Sequence, residues 1–368
     1  MKQFRNLSFT LLTLTTVWGC STSREIPVSV KVTKASQAAD AINNNIVYGL
    51  PKTAFSVEVV AEKSIHKTGP FYRYAEKYLS LSNVITEDNE EWTIKSIKLI
   101  PYGKPDTARI YSIQMKGSGV AQNIKLTPNG ILCGINADVT CPCQNKPTYI
   151  NTKELTLSDV NFDDVPRLEK QLVATSSATM AEETAKYIYK LRKRRSRLFT
   201  SDFPVLPPDG KAYEITDNES EELEKSFTEL FAGKTVSQQI TQSFEVIPDR
   251  QGGESTVLFR FSSHKGFVDR LDLSGTPVYI EVKNITELHL NEPVTPSKKE
   301  VTQGLFYQIP GRAIVKVIDR NELMLEQEIE VAQFGQTMSL PASLMAQPGI
   351  SIELSPVTGA LLNITTKK

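Results

Sequence analysis

Ala54-Phe55-Ser56-Val57-Glu58-Val59 alternates apolar and polar side chains with a period of two, the pattern of a strand that buries one face and wets the other. The same period recurs outward from it. Toward the C-terminus it continues at Trp92 and Ile94, at Ile110 and then out of phase at Tyr111, Ile113 and Met115, and at Ile124 and Leu126 against Ile131, Cys133 and Ile135. Pro128-Asn129-Gly130 joins the last two runs as a hairpin turn. One helical turn or two interrupts the strands at Gly69-Pro70, where proline suits a helix start and Phe71, Tyr74, Ala75 and Tyr78 share a face.

Near residue 178 the period lengthens to that of a helix. Thr179 and Glu182 have capping-box spacing, and Ala181, Tyr187, Ile188, Leu191 and Leu198 carry the pattern to about Phe199. After the breaker Pro204 to Gly210, Leu223, Phe227, Leu230 and Phe231 mark a second helix that stops at Gly233. A short connection predicts an antiparallel pair. Strands then resume: Phe244 and Val246, Val257, Phe259 and Phe261, Val278 and Ile280, Ile314 to Ile318, Leu323 to Val331, and Ile352 and Leu354 against Leu362 and Ile364. Asp319-Arg320-Asn321 and Pro356-Val357-Thr358-Gly359 are turns. The expected fold class is α+β, mainly β: two antiparallel β domains, residues 46–170 and 236–368, with a central antiparallel helical hairpin, 177–233. The first hairpin, Ile124 to Leu132, resembles the last, Ile352 to Leu361, and His66-Lys67-Thr68-Gly69-Pro70-Phe71 resembles His264-Lys265-Gly266-Phe267. The pattern therefore admits two copies of one unit.

The N-terminus is a different kind of segment. Lys2 and Arg5 precede an apolar stretch, Leu7 to Trp18, that is too short to span a bilayer and ends in Gly19-Cys20. Residues 1–19 read as a lipoprotein signal peptide, Cys20 as the lipidated terminus and residues 20–45 as a tether; Trp18 departs from the small or branched residue usual there, and secretion without lipid is the alternative. Ile26, Val28, Val30 and Val32 alternate inside the tether and admit a short strand. The 368 residues balance 42 Lys plus Arg against 42 Asp plus Glu, so no basic excess points to nucleic acid; without the leader's Lys2 and Arg5 the chain is two charges acidic. Fifteen Phe and 12 Tyr supply a core and exclude a chain disordered as a whole.

Lipidation of Cys20 leaves Cys133, Cys141 and Cys143. A fourth donor and a nearby histidine are missing for zinc, so the expectation is one local disulfide from Cys133 to either Cys141 or Cys143. Gly233-Lys234-Thr235 lacks the upstream glycine of a phosphate loop and sits between a helix and a strand in the wrong order. The run Arg192-Lys193-Arg194-Arg195-Ser196-Arg197 ends a helix whose partner opens with Glu214, Asp217 and Glu219 to Glu222, so the two blocks are expected to answer each other. His66, His264 and His289 stand apart from metal ligands. Ser262, Ser263 and His264 alternate in direction at a strand end, and Glu90-Glu91 and Asp163-Asp164 read as solvated turns. No catalytic, cofactor-binding or metal-binding residue is assigned. Phe71, Tyr72, Tyr74 and Tyr78 with Phe306 and Tyr307 are the candidate binding surface, for sugar rings or a partner groove, against the alternative that they pack a core.

Tyr48-Gly-Leu-Pro51-Lys-Thr53, Gly69-Pro-Phe-Tyr-Arg-Tyr-Ala-Glu-Lys-Tyr78, Leu206-Pro-Pro-Asp-Gly210, Asp272-Leu-Ser-Gly275 with Pro277, Ala332-Gln-Phe-Gly335 and the last hairpin together resemble a family of predicted Bacteroidetes lipoproteins built on a domain of unknown function. The resemblance covers essentially everything after the tether. It implies a Gram-negative envelope address and carries over no catalytic residue, since the family has no assigned activity. Ser21 to Glu25 behind the lipid hold no acidic run, which favours the periplasmic side of the outer membrane. The expected function is a non-enzymatic binding or assembly component that meets the membrane through Cys20 and an envelope protein or glycan through its fold. The rival is a carbohydrate-active or other hydrolase, which convergent carboxylates in a pocket would favour.

Overall fold

A computed structural model describes residues 29–34, 45–116, 123–141, 153–172, 176–199, 210–250, 252–286, 304–345, 347 and 349–366. Cys20, Cys143, His289 and all but seven residues of the leader and tether lie outside them. Of the described residues 51% are strand and 22% helix, so the chain is mainly β, in antiparallel sheets.

The strands are β1 (Ser29–Lys34), β2 (Asn45–Lys67), β3 (Asn89–Lys116), β4 (Ile124–Leu126), β5 (Leu132–Ile135), β6 (Lys234–Val246), β7 (Ser255–Ser262), β8 (Gly266–Val268), β9 (Thr276–Asn284), β10 (Leu305–Asp319), β11 (Glu322–Leu340), β12 (Ile350–Leu354) and β13 (Leu361–Thr366). The helices are α1 (Ala75–Leu79), α2 (Glu169–Leu172), α3 (Ser177–Phe199), α4 (Gly210–Ala232) and α5 (Ala342–Met345). Three sheets result, ordered β1-β3-β2-β6, β11-β10-β9-β7-β8 and β13-β12-β5-β4.

The first two sheets share one core. Phe55, Val57, Val59 and Ala61 of β2 face Phe259, Val278, Ile280, Val315 and Val331 of the second sheet. Each of the Val, Ile and Phe side chains among them contributes about 1.5–3 kcal/mol by leaving water. A second core joins Tyr48, Leu50, Tyr111 and Ile113 to Leu132, Ile135, Ile352 and Leu354 of the third sheet. Tyr48 is sewn in by its hydroxyl, which accepts from Phe306 N at 3.0 Å and donates to Phe306 O at 3.3 Å. The third core is helical: Phe71, Ala75 and Leu79 pack on Ala181, Ile188 and Leu191 of α3 and on Phe227 and Phe231 of α4.

The two β regions drawn from the sequence are interleaved. β6 completes the sheet of β2 and β3, and β5 pairs with β12 through Ile135 and Ile352. Periodicity locates a strand's buried face and says nothing of which strand lies beside it. β2 and β3 are also far longer than their alternating runs, at 23 and 28 residues, because bulges shift the phase without ending the pairing. The expected turns are found, with left-handed backbone at Gly130, Arg320 and Gly359. The start of α3 moves upstream of the capping-box residues: Ser176 Oγ, not Thr179, accepts from a first-turn amide, Thr179 N, at 3.2 Å. Along the helices Arg192 meets Glu224 at 2.8 Å, while Arg195 meets Glu224, Glu221 and Asp217, so the basic and acidic blocks do answer each other.

Candidate functional site

The residues singled out as a binding surface fall in two places. Phe71 is buried against Phe231, and Tyr74 and Tyr78 pack on the helical core; Tyr72 is half-buried and hydrogen-bonded by Arg73. Phe306 instead stacks on Tyr111 at 4.3 Å, and Tyr307 packs on the second core. Cys133 is buried in β5 as a thiol beside the Cys141 thiol; burial first, and then that neighbour, push it up to about 12. Among the described residues no group of three His, Cys, Asp or Glu side chains is placed to hold a metal, and no helix is long and apolar enough to cross a membrane.

A cleft of about 540 Å³ opens at one end of the sandwich, between the β6–β7 connection and the strands beneath it. One wall is aliphatic, from Val246, Ile247, Pro248, Ile280 and Val282. Lys52, Arg250, Asp249 and Glu254 set two cations and two carboxylates around it, and Gln333 closes its floor. Its size lies in the range of pockets that hold small ligands or a pair of side chains.

Two buried polar arrangements fix this geometry. Gln333 accepts from Thr53 N at 2.8 Å and donates to Thr53 O at 2.8 Å and Pro248 O at 3.2 Å, which ties the β6–β7 connection to β2 and β11. Thr53 in turn accepts from Ala332 N through Oγ1 at 2.9 Å. Thus two of the stretches that carry the family resemblance, Tyr48 to Thr53 and Ala332 to Gly335, meet at the cleft. The second arrangement holds Lys52. In β3 the four residues Asp106 to Arg109 oppose Leu50 alone, a large bulge. Asp106, 1% exposed, accepts from Arg109 Nε at 2.6 Å and Ala108 N at 3.1 Å and pairs with Lys52 at 3.2 Å. Burial works against its charge, yet hydrogen bonds from Arg109, Ala108 and Lys52 outweigh it and hold the carboxyl below its ordinary 3.8. The bulge therefore supplies an anion that fixes the side chain of Lys52, one of the residues lining the cleft.

Neither arrangement has a distinctive signature in the sequence. Lys104-Pro105-Asp106 inside a strand pattern was the available signal, since proline and aspartate in a strand mark a bulge or an edge. Gln333 carries no comparable signal.

The chain belongs to the family described as Domain of unknown function (DUF4831), which matches residues 44–362. No curated protein and no solved structure matches it at a significant level.

Proposed function

We propose that the protein is a cell-envelope lipoprotein, anchored through Cys20 to the outer membrane and facing the periplasm, that binds a protein partner through the cleft and performs no reaction of its own. The lining of the cleft carries this reading. An aliphatic wall beside balanced charges suits apolar side chains flanked by polar backbone or charged groups, as a protein segment offers them. No aromatic ring is among its lining residues to stack a sugar, which supports protein over glycan. The address rests on the leader and Cys20. In an oxidising compartment the adjacent Cys133 and Cys141 form the disulfide. The same reading takes the two β regions as copies of one unit with the helical hairpin between them. In each copy a long hairpin precedes a short one and bonds its turn: Gly49 N donates to Gly130 O at 2.9 Å, and Gln308 N to Gly359 O at 2.8 Å.

The test is affinity capture of the full chain from cross-linked envelopes, repeated with Ile247→Asp and Arg250→Glu. A partner recovered with the natural chain and lost with both variants supports the reading; recovery of no partner, or of one indifferent to both, overturns it. The hydrolase reading stays second on Asp249 and Glu254, the two carboxylates in the cleft. It would displace the first if hydrolysis of an envelope glycan or peptide by the purified chain disappeared in Glu254→Gln.

A further inference from the structure

Leu271 and Leu273 are 87% and 84% exposed, on a loop between β8 and β9 that is firmly built. Leu271 N donates to Asp269 Oδ1 at 2.9 Å and Ser274 N to Asp272 Oδ1 at 2.8 Å. Arg260 reaches across the loop, donating to Arg270 O at 2.9 Å and Gly275 O at 3.0 Å. A pinned loop that holds two leucines in water loses little conformational freedom when they are covered, so it is pre-organised for docking.

The cleft is a fitting receptor for it. Its wall is aliphatic, with Ile247 at its mouth 45% exposed, and it lies farther along the same strand: β9 runs from Thr276, beside the loop, to Ile280 and Val282 in the wall, roughly 20 Å away. The charges also match. On the loop Asp272 is already paired with Lys265 at 3.6 Å, which leaves Arg270 to face Asp249 and Glu254 of the cleft and Asp269 to face Arg250 around the leucines. A lipid occupant is disfavoured by position. Ser263 O accepts from Trp92 N at 2.8 Å, which puts this part of the second sheet at the Asn89 end of β3, whereas β1, the first described strand after Cys20, pairs at the Tyr111–Lys116 end. β3, at 28 residues, separates those ends by up to roughly 80 Å.

We propose that the Leu271–Leu273 loop of one copy seats in the cleft of a second copy. This rests on the binding reading of the cleft and names its occupant. Knob and receptor are different surfaces, so repeated contacts close as a two-fold pair or a ring, or extend as a row along the membrane.

Two differently tagged full chains with their own leader, one carrying Leu273→Cys and the other Ile247→Cys, are co-expressed and oxidised mildly in intact envelopes. The expected result is a mixed-tag disulfide dimer that neither variant forms alone. Leu271→Asp in the first copy lowers its yield by at least about tenfold, as loss of one buried leucine requires. Arg270→Glu also lowers it, and Glu254→Arg in the second copy restores it. Circular dichroism and melting of each variant check that the fold is kept. No mixed dimer, a Leu273→Cys copy linked to itself, or a yield indifferent to Leu271→Asp overturns the proposal. Capture of a different protein through the cleft, with no mixed dimer, overturns it while the binding reading stands; absence of any cleft-dependent partner overturns both.

Discussion

Replacing Asp106 by Asn removes the anion at the centre of the bulge and leaves its three donors in place. Arg109 is 16% exposed and would keep its charge with no carboxylate beside it, whereas Lys52, 39% exposed, can turn to water. Breaking a buried pair by removing one partner costs about 3–5 kcal/mol, and with Lys52 resolvated and one amide oxygen still accepting, the lower end, about 3 kcal/mol, applies. Unfolding entropy near 2.1 cal/mol/K per residue gives about 0.7 kcal/mol/K for the roughly 320 residues after the tether, so melting falls by about 4 °C. The acid side supplies a second readout. The native carboxyl sits below its unfolded value, so between the two the unfolded chain binds more protons and stability rises with pH. The contribution is whole above about pH 4 to 5 and drains as pH falls through the lowered native value, so the gap between natural chain and variant narrows there. Thermal melts at neutral and acid pH measure both effects. Arg109→Met in the Asn background should recover much of the loss. A variant within about 0.5 kcal/mol of the natural chain at neutral pH, or an Arg109→Met cost equal in both backgrounds, would refute the reasoning.

Lys63 is buried, donates to Glu154 at 2.9 Å and Leu155 O at 2.7 Å, and pairs with Glu90 at 3.0 Å. Lys63→Met should release the 153–157 segment, expose a new protease site there and cost about 2 kcal/mol, since both carboxylates are partly wet. Burial lowers this lysine, but Glu154 and Glu90 win and raise it above 10.5; the clamp is therefore complete below that pH and lost only as pH rises through the raised value, which amide exchange across 153–157 can follow. Gly103→Ala drives a methyl into the Pro356 carbonyl oxygen and should lower the urea midpoint by the equivalent of at least about 2 kcal/mol; an unchanged midpoint would show that the third sheet can withdraw. Oxidation by glutathione disulfide should join Cys133 to Cys141, and a peptide map linking Cys133 to Cys143 would contradict that pairing.

Much of the fold was legible because its signals are local. Pro128-Asn129-Gly130 and Pro356 to Gly359 give turns their left-handed glycines, and Leu223 to Phe231 keep helical spacing. Strand length and partnership were not, because both depend on contacts made far along the chain. Ile110 falls out of phase with Tyr111, yet β3 is continuous there, and the Asp106 bulge just before Ile110 shifts its register without ending it. The likeness of the first and last hairpins was visible, but that β5 lies beside β12 is a fact about backbone edges, which carry no residue-type signature.

The site was less legible for a related reason. Aromatic side chains drew notice as a surface, yet large rings gain most from burial, and Phe71 and Phe306 went into separate cores. What shapes the cleft is unremarkable in type: a lysine, an aspartate and a glutamine, each meaningful only through its partner. Gln333 matters because Thr53, far away in sequence, presents both its amide and its carbonyl to it. Had Gln333 been an apolar residue, Thr53 N and Pro248 O would have lost their partners in the interior, at roughly 1–3 kcal/mol for each unsatisfied group. The β6–β7 connection would then have no fixed position, and the aliphatic wall carried by Val246 to Pro248 would have no shape for a partner to fit. In the proposed binding role, specificity at this cleft is thus set beneath its surface, by an amide bonded at both ends.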